Sequence, residues 1–125
     1  MQRAQFIKIV LETISELPEE FRKLMENIDI VVEDWPSRGQ LRQVGLANRG
    51  DLFGLYEGTP LTERDQHYNL VLPDKITIFQ KPIEAQCPDA DKLKLQIERT
   101  VKHEIAHFFG LDEATMDKIE HGYDT

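Results

Sequence analysis

His103-Glu104-Ile105-Ala106-His107-Phe108-Phe109-Gly110-Leu111-Asp112-Glu113 sets two histidines four residues apart, with a glutamate directly after the first. On a helix that spacing stacks both imidazoles on one face. Both can then reach one metal ion at a Zn–N distance of about 2.0–2.1 Å. The intervening glutamate leans toward the ion, where it can take a proton from a water molecule. Gly110 suits the residue just past a helix end, where a left-handed backbone costs glycine least. The chain turns there, and Asp112 or Glu113 can swing back toward the histidines. A polar helix face has the same periodicity. The joint presence of the pair, the glutamate, the glycine and the acids favours a metal site.

The helix carrying this stretch is expected to start at Asp89, a good N-cap, with Asp91 in its first turn, and to run to about Phe109. At about 100° per residue, Ile97, Val101, Ile105 and Phe108 fall on one face. His103 and His107 lie roughly 110–160° from the centre of that face, and Glu104 falls between the two groups. One side anchors the helix and the other presents the histidines.

Upstream, the segment from Pro82 to Pro88 reads as a linker, and Cys87 within it as inert. Lys75-Ile76-Thr77-Ile78-Phe79-Gln80 alternates like a half-buried strand. Leu52-Phe53-Gly54-Leu55-Tyr56-Glu57 is a second strand, with Gly54 marking a bulge or a close backbone approach. Between them, residues 62–69 read as a polar loop in which His67 is solvated. Ile28-Asp29-Ile30-Val31-Val32-Glu33 is a β-branched strand, followed by a loop in which Trp35 could line a cleft but is expected to cap the core. Gln40 to Gly50 has a weak pattern compatible with a short helical turn ending near Gly45 or Gly50. Gln2 to Leu17 has helical apolar spacing at Phe6, Ile9, Val10, Ile14 and Leu17. Pro18 interrupts that helix and opens a second, whose expected buried stripe is Phe21, Leu24 and Met25. Thr115 to His121 reads as a last short helix.

The chain has 125 residues, consistent with one domain spanning 1–125. Its formal net charge of −8 argues against a general nucleic-acid partner, which needs basic surface to displace counterions. No stretch approaches the roughly 18 apolar residues of a membrane span, and Met1-Gln2-Arg3-Ala4-Gln5 is not followed by a long apolar run or a small-residue cleavage site. A single cysteine excludes an internal disulfide. The expectation is a cytoplasmic protein with no membrane partner.

The resemblance extends beyond the histidine pair. Leu17-Pro18-Glu19-Glu20-Phe21, Ile30-Val31-Val32-Glu33-Asp34, the block from Leu52 to Leu61 and the block from Leu72 to Phe79 resemble the minimal-zincin, or zincin-like metallopeptidase, family of small bacterial single-domain proteins. That resemblance implies an α+β fold in which a small mixed β-sheet packs against an N-terminal helix and a long active-site helix. It also implies an H-E-x-x-H-x-x-G-x-x-D signature, with His103 and His107 as zinc ligands, Glu104 as general base, and a third ligand ten residues after the first histidine. This chain has Glu113 there instead of aspartate, and Asp112 one position earlier. Both carboxylates suit zinc. Glu113 is the expected third ligand and Asp112 the alternative, with His121 a spare.

These residues lead to hydrolysis of peptide bonds by a metal-activated water, with peptide or protein as substrate. Ile76–Gln80 is the expected strand edge for an extended peptide, and Tyr56, Tyr68 and Tyr123 are candidate oxyanion donors. Two other readings compete. One is a non-catalytic metal-binding or interaction domain on the same fold. The other is a metal-dependent endoribonuclease, because the histidine spacing also resembles a ribosomal-RNA maturation family with H-G-x-x-H and a third histidine. Here Glu104 and Glu113 stand in place of that family's glycine and third histidine.

Overall fold

The computed structural model of the chain describes residues 1–61 and 74–111. His67, Tyr68, Asp112, Glu113, His121, Tyr123 and the expected Thr115–His121 helix lie outside the described residues. Within them the order is α1 (Arg3–Ser15), α2 (Glu19–Leu24), β1 (Ile28–Glu33), α3 (Arg38–Val44), a 3₁₀ turn (Arg49–Asp51), β2 (Gly54–Glu57), β3 (Asp74–Phe79), α4 (Gln80–Gln86) and α5 (Ala90–Phe109). Helices packed on a small mixed sheet make this an α+β fold, as expected.

The sheet order is β1-β3-β2. β1 runs parallel to β3, pairing Ile30 with Ile76, and β2 runs antiparallel to it, pairing Leu55 with Thr77. β3 is therefore the central strand, and two expectations fail. It is buried on both faces rather than half-buried: Ile76, Thr77, Ile78 and Phe79 are all inaccessible. Nor does it offer an edge to a peptide, because its backbone groups are paired on both sides. The alternating pattern misled because Thr77, the polar partner in the alternation, is itself buried.

Side-chain alternation divides the core. Ile76 and Ile78 face Phe6, Val10, Ile97, Val101 and Ile105, while Leu55 and Phe79 join Leu41 and Leu52 in a second cluster. α1 buries Phe6, Val10 and Thr13, one helical stripe, and packs on α5. The buried Thr13 hydroxyl donates to the Ile9 carbonyl at 2.8 Å, so its polar group is not stranded.

α2 corrects another expectation. Met25 is buried, but Phe21 is 37% and Leu24 53% exposed. Six residues are too few to turn three side chains into the core, and Pro18 occupies the N-cap position rather than the first helical one. Phe21 instead meets Phe109 with ring centroids 5.2 Å apart. The weakly patterned stretch after residue 37 forms α3 through a capping box: Gln40 N–H donates to Ser37 Oγ at 3.0 Å, and Ser37 N–H donates to Gln40 Oε1 at 2.8 Å. Gly45, at φ 72°, ends it. Trp35 is half-buried, and the Arg49 guanidinium sits 4.1 Å from its ring centroid, a cation–π contact.

The expected linker is largely a helix. α4 follows β3 directly, with Pro82 as its third residue, where no intrahelical partner awaits the missing N–H. Cys87, at its end, packs partly buried against the core. Among the described residues no helix is long and apolar enough to cross a membrane.

Candidate metal centre and groove

α5 positions the site, and both its ends are chemically specified. At the start, Asp89 Oδ1 accepts from the N–H groups of Asp91 and Lys92 at 2.8 and 3.2 Å, as the sequence predicts. At the end, Gly110 adopts φ 70°, ψ 33°. Its N–H donates to the His107 carbonyl at 3.0 Å, and Leu111 N–H donates to the Ala106 carbonyl at 3.1 Å. That pair of bonds is a Schellman closure, and it pins the last turn in which His107 sits. In between, Ile97, Val101, Ile105 and Phe108 are 0–2% exposed, so the anchoring face is fully committed to the core.

Beside that face, with Glu104 at its border, α5 brings His103, Glu104 and His107 together. One ligand-capable atom from each lies within 4.8 Å of the others. The histidine rings are 4.5 Å apart at their centroids and inclined by 65°. His107 Nδ1 approaches Glu104 Oε1 at 3.3 Å. Burial divides the group: the Glu104 side chain is 7% exposed and that of His107 41%. Two accessible imidazoles beside a sheltered carboxylate form a donor set that suits zinc or a similar ion. The third-ligand positions, Glu113 and Asp112, lie outside the described residues.

A groove of ≈ 320 Å³ adjoins this cluster. Along one side run Gln96, Arg99, Thr100, His103 and Glu104 of α5, and along the other runs the segment Asp51–Gly54 leading into β2. The two sides touch at Gly54. A Cβ there would stand 2.8 Å from Thr100 Cγ2 and 3.0 Å from Glu104 Cγ. Of the two sequence readings of Gly54, close backbone approach is therefore the correct one, and its pairing with Ile78 continues without a bulge. Thr100 is held in turn by Gln96, whose Nε2 donates to its Oγ1 at 3.1 Å.

Tyr56 does not line the groove. Its hydroxyl donates to Asp74 Oδ1 at 2.6 Å, and its ring meets Phe108 edge-on with centroids 5.8 Å apart. Its hydroxyl is thus engaged within the fold, and Tyr68 and Tyr123 lie outside the described residues. Trp35 does not line the groove either. The sequence reading missed Gln96, Arg99 and Thr100 as groove residues. Their signal was available, since they recur three or four residues apart on the stripe that leads to His103.

The model of the zincin-like metallopeptidase family matches residues 25–123, which takes in the whole sheet, α5 and the chain beyond Gly110. No curated protein matches the chain. With a matching family model over most of its length and a His–Glu–His cluster on the expected helix, the chain belongs to the zincin-like metallopeptidases.

Proposed function

We propose that the protein is a zinc-dependent metallopeptidase that hydrolyses peptide bonds, with His103 and His107 as metal ligands and Glu104 as general base. Glu113 completes the ligand set, with Asp112 as the alternative. The observation that carries this reading is the setting of Glu104. Its carboxylate is almost fully sheltered, lies 3.3 Å from a histidine nitrogen, and opens on a groove rather than on the core. Burying a carboxylate is costly unless a charge or donor compensates it, and an ion held between the two histidines would add such a charge to the His107 contact.

When bound, zinc supplies Lewis acidity toward the scissile carbonyl and makes a water easier to deprotonate. The remaining work belongs to the chain. Glu104 accepts the proton of the attacking water and returns it to the leaving amine. Gly54, packed against the Glu104 stem, limits the rotamers its carboxylate can visit. The substrate strand has a natural seat on β2, which among the described residues pairs only with β3 and begins at Gly54 beside Glu104. An extended peptide added to that edge by backbone hydrogen bonds passes in front of the carboxylate. An acidic chain with an acidic groove base suits a peptide better than a polyanionic nucleic acid.

The test combines metal analysis with Glu104→Gln. The expected result is stoichiometric zinc in both proteins, with peptide hydrolysis lost only in the variant. Zinc retained with hydrolysis unaffected by the substitution removes Glu104 from the chemistry. Zinc retained with no hydrolysis by either protein favours the non-catalytic domain.

A further inference from the structure

Arg99 lies on the groove side of α5, one helical turn before His103. It is solvent-exposed, and among the described residues it makes no hydrogen bond or ion pair. On the opposite side of the same groove stands Asp51, also exposed, and no ion pair joins the two. Of the described residues lining this groove, Arg99 is the only one with a permanent positive charge, in a protein whose net charge is −8. Four residues of α-helix span about 6 Å, which is close to the spacing of two residues in an extended strand. A guanidinium one turn from His103 therefore falls within reach of a side chain or terminus one or two residues from a bond held at Glu104.

We infer that Arg99 is a specificity-determining residue that binds a carboxylate of the substrate. This inference rests on the peptidase reading above, which says what lies in the groove, and it adds the substrate's charge. Guanidinium is suited to the task because its planar donor fork matches a carboxylate with two parallel hydrogen bonds. The carboxylate has two sources, an acidic side chain or the free C-terminus of the peptide, and both offer the same two oxygens. Asp51 works in the opposite sense. It faces the same groove with like charge, so it admits a carboxylate only where Arg99 engages it and disfavours one elsewhere along that side. Gln96 and Thr100 are bonded to each other, so among the described residues Arg99 is left as the long, unengaged donor on that side.

The experiment measures binding of a peptide panel to the zinc-loaded full chain carrying Glu104→Gln, and hydrolysis of the same panel by the zinc-loaded chain with Glu104 intact. The peptides share one sequence, with glutamate, glutamine or lysine scanned through each position and the C-terminus free or amidated. The expected result is a preference of about fivefold or more for a carboxylate at one location. Arg99→Gln abolishes that preference, and Arg99→Glu turns it toward lysine, a reversal that a purely structural role cannot produce. A preference that survives amidation assigns the carboxylate to a side chain, and one that amidation removes assigns it to the terminus. Asp51→Asn strengthens binding of the preferred peptide. Hydrolysis with no carboxylate preference, or a preference unchanged in Arg99→Gln, overturns the inference and leaves the peptidase reading intact. No binding of any peptide also overturns it. Carboxylate-selective binding that depends on Arg99, without hydrolysis of any peptide, sinks the peptidase reading and leaves the Arg99 site standing.

Discussion

Gly54 rests against Glu104 so closely that a Cβ on the glycine would stand 3.0 Å from Glu104 Cγ and 3.4 Å from its Oε2. The edge of the sheet and the candidate base are therefore one packed unit. The position of the carboxylate depends on the absence of a side chain on the neighbouring strand.

Gly54→Ala is expected to push Glu104 and Thr100 aside and to cost about 1–3 kcal/mol, the usual penalty of overpacking a tight contact. Thermal denaturation reads that loss. Hydrolysis should fall further than stability alone explains, because the displaced group is the proposed base. A variant as stable and as active as the parent would show that Glu104 relaxes freely, and the coupling would be wrong.

Metal removal offers a second check. A ligand that binds the folded chain but not the unfolded one stabilises it by about 2.7 kcal/mol at one hundred times its dissociation constant. Saturating zinc should raise the melting temperature of the chelated protein. His103→Ala and His107→Ala should each weaken zinc binding at least tenfold in a competition titration with a chromogenic chelator. Binding unchanged by either substitution places the ion elsewhere.

Gly110→Ala addresses the helix end. With φ at 70°, a side chain there costs about 1 kcal/mol of backbone strain. Denaturant unfolding should show that loss. Zinc affinity should weaken as well, since the Schellman closure at Ala106 and His107 pins the turn that carries the proposed ligand His107. Strain without any change in affinity would mean that the closure of the helix end is not coupled to the metal site.

Tyr56→Phe separates a structural tyrosine from an oxyanion donor. The substitution removes the 2.6 Å bond to Asp74, whose residue is 5% exposed. Losing a hydrogen bond to a buried carboxylate costs about 1–3 kcal/mol. The expected outcome is a lower melting temperature with kcat changed less than threefold. A large loss of kcat with unchanged stability would restore Tyr56 to the chemistry.

The sequence by itself determined what is local. The caps of α5 at Asp89 and Gly110, its apolar stripe, and the placing of His103 and His107 away from that stripe with Glu104 between follow from helical periodicity and from the φ preference of glycine. The composition of β1 and the helical spacing of α1 were legible for the same reason. Only the tertiary structure decided what rests on partners distant in the chain. Alternation in Lys75–Gln80 could not say that β3 lies between β1 and β2, because strand order is set by which segments pair and not by the residues of one strand. Helical potential in Gln80–Gln86 was hidden by Pro82, which a first turn tolerates. Phe21 and Leu24 looked like core residues, and only the short span of α2 showed them to be exposed. The choice between a bulge and a close approach at Gly54 needed Glu104, fifty residues away in sequence and in contact in space. Helix ends and faces are written in neighbouring residues. A groove is the space left between two segments, and no single segment contains it.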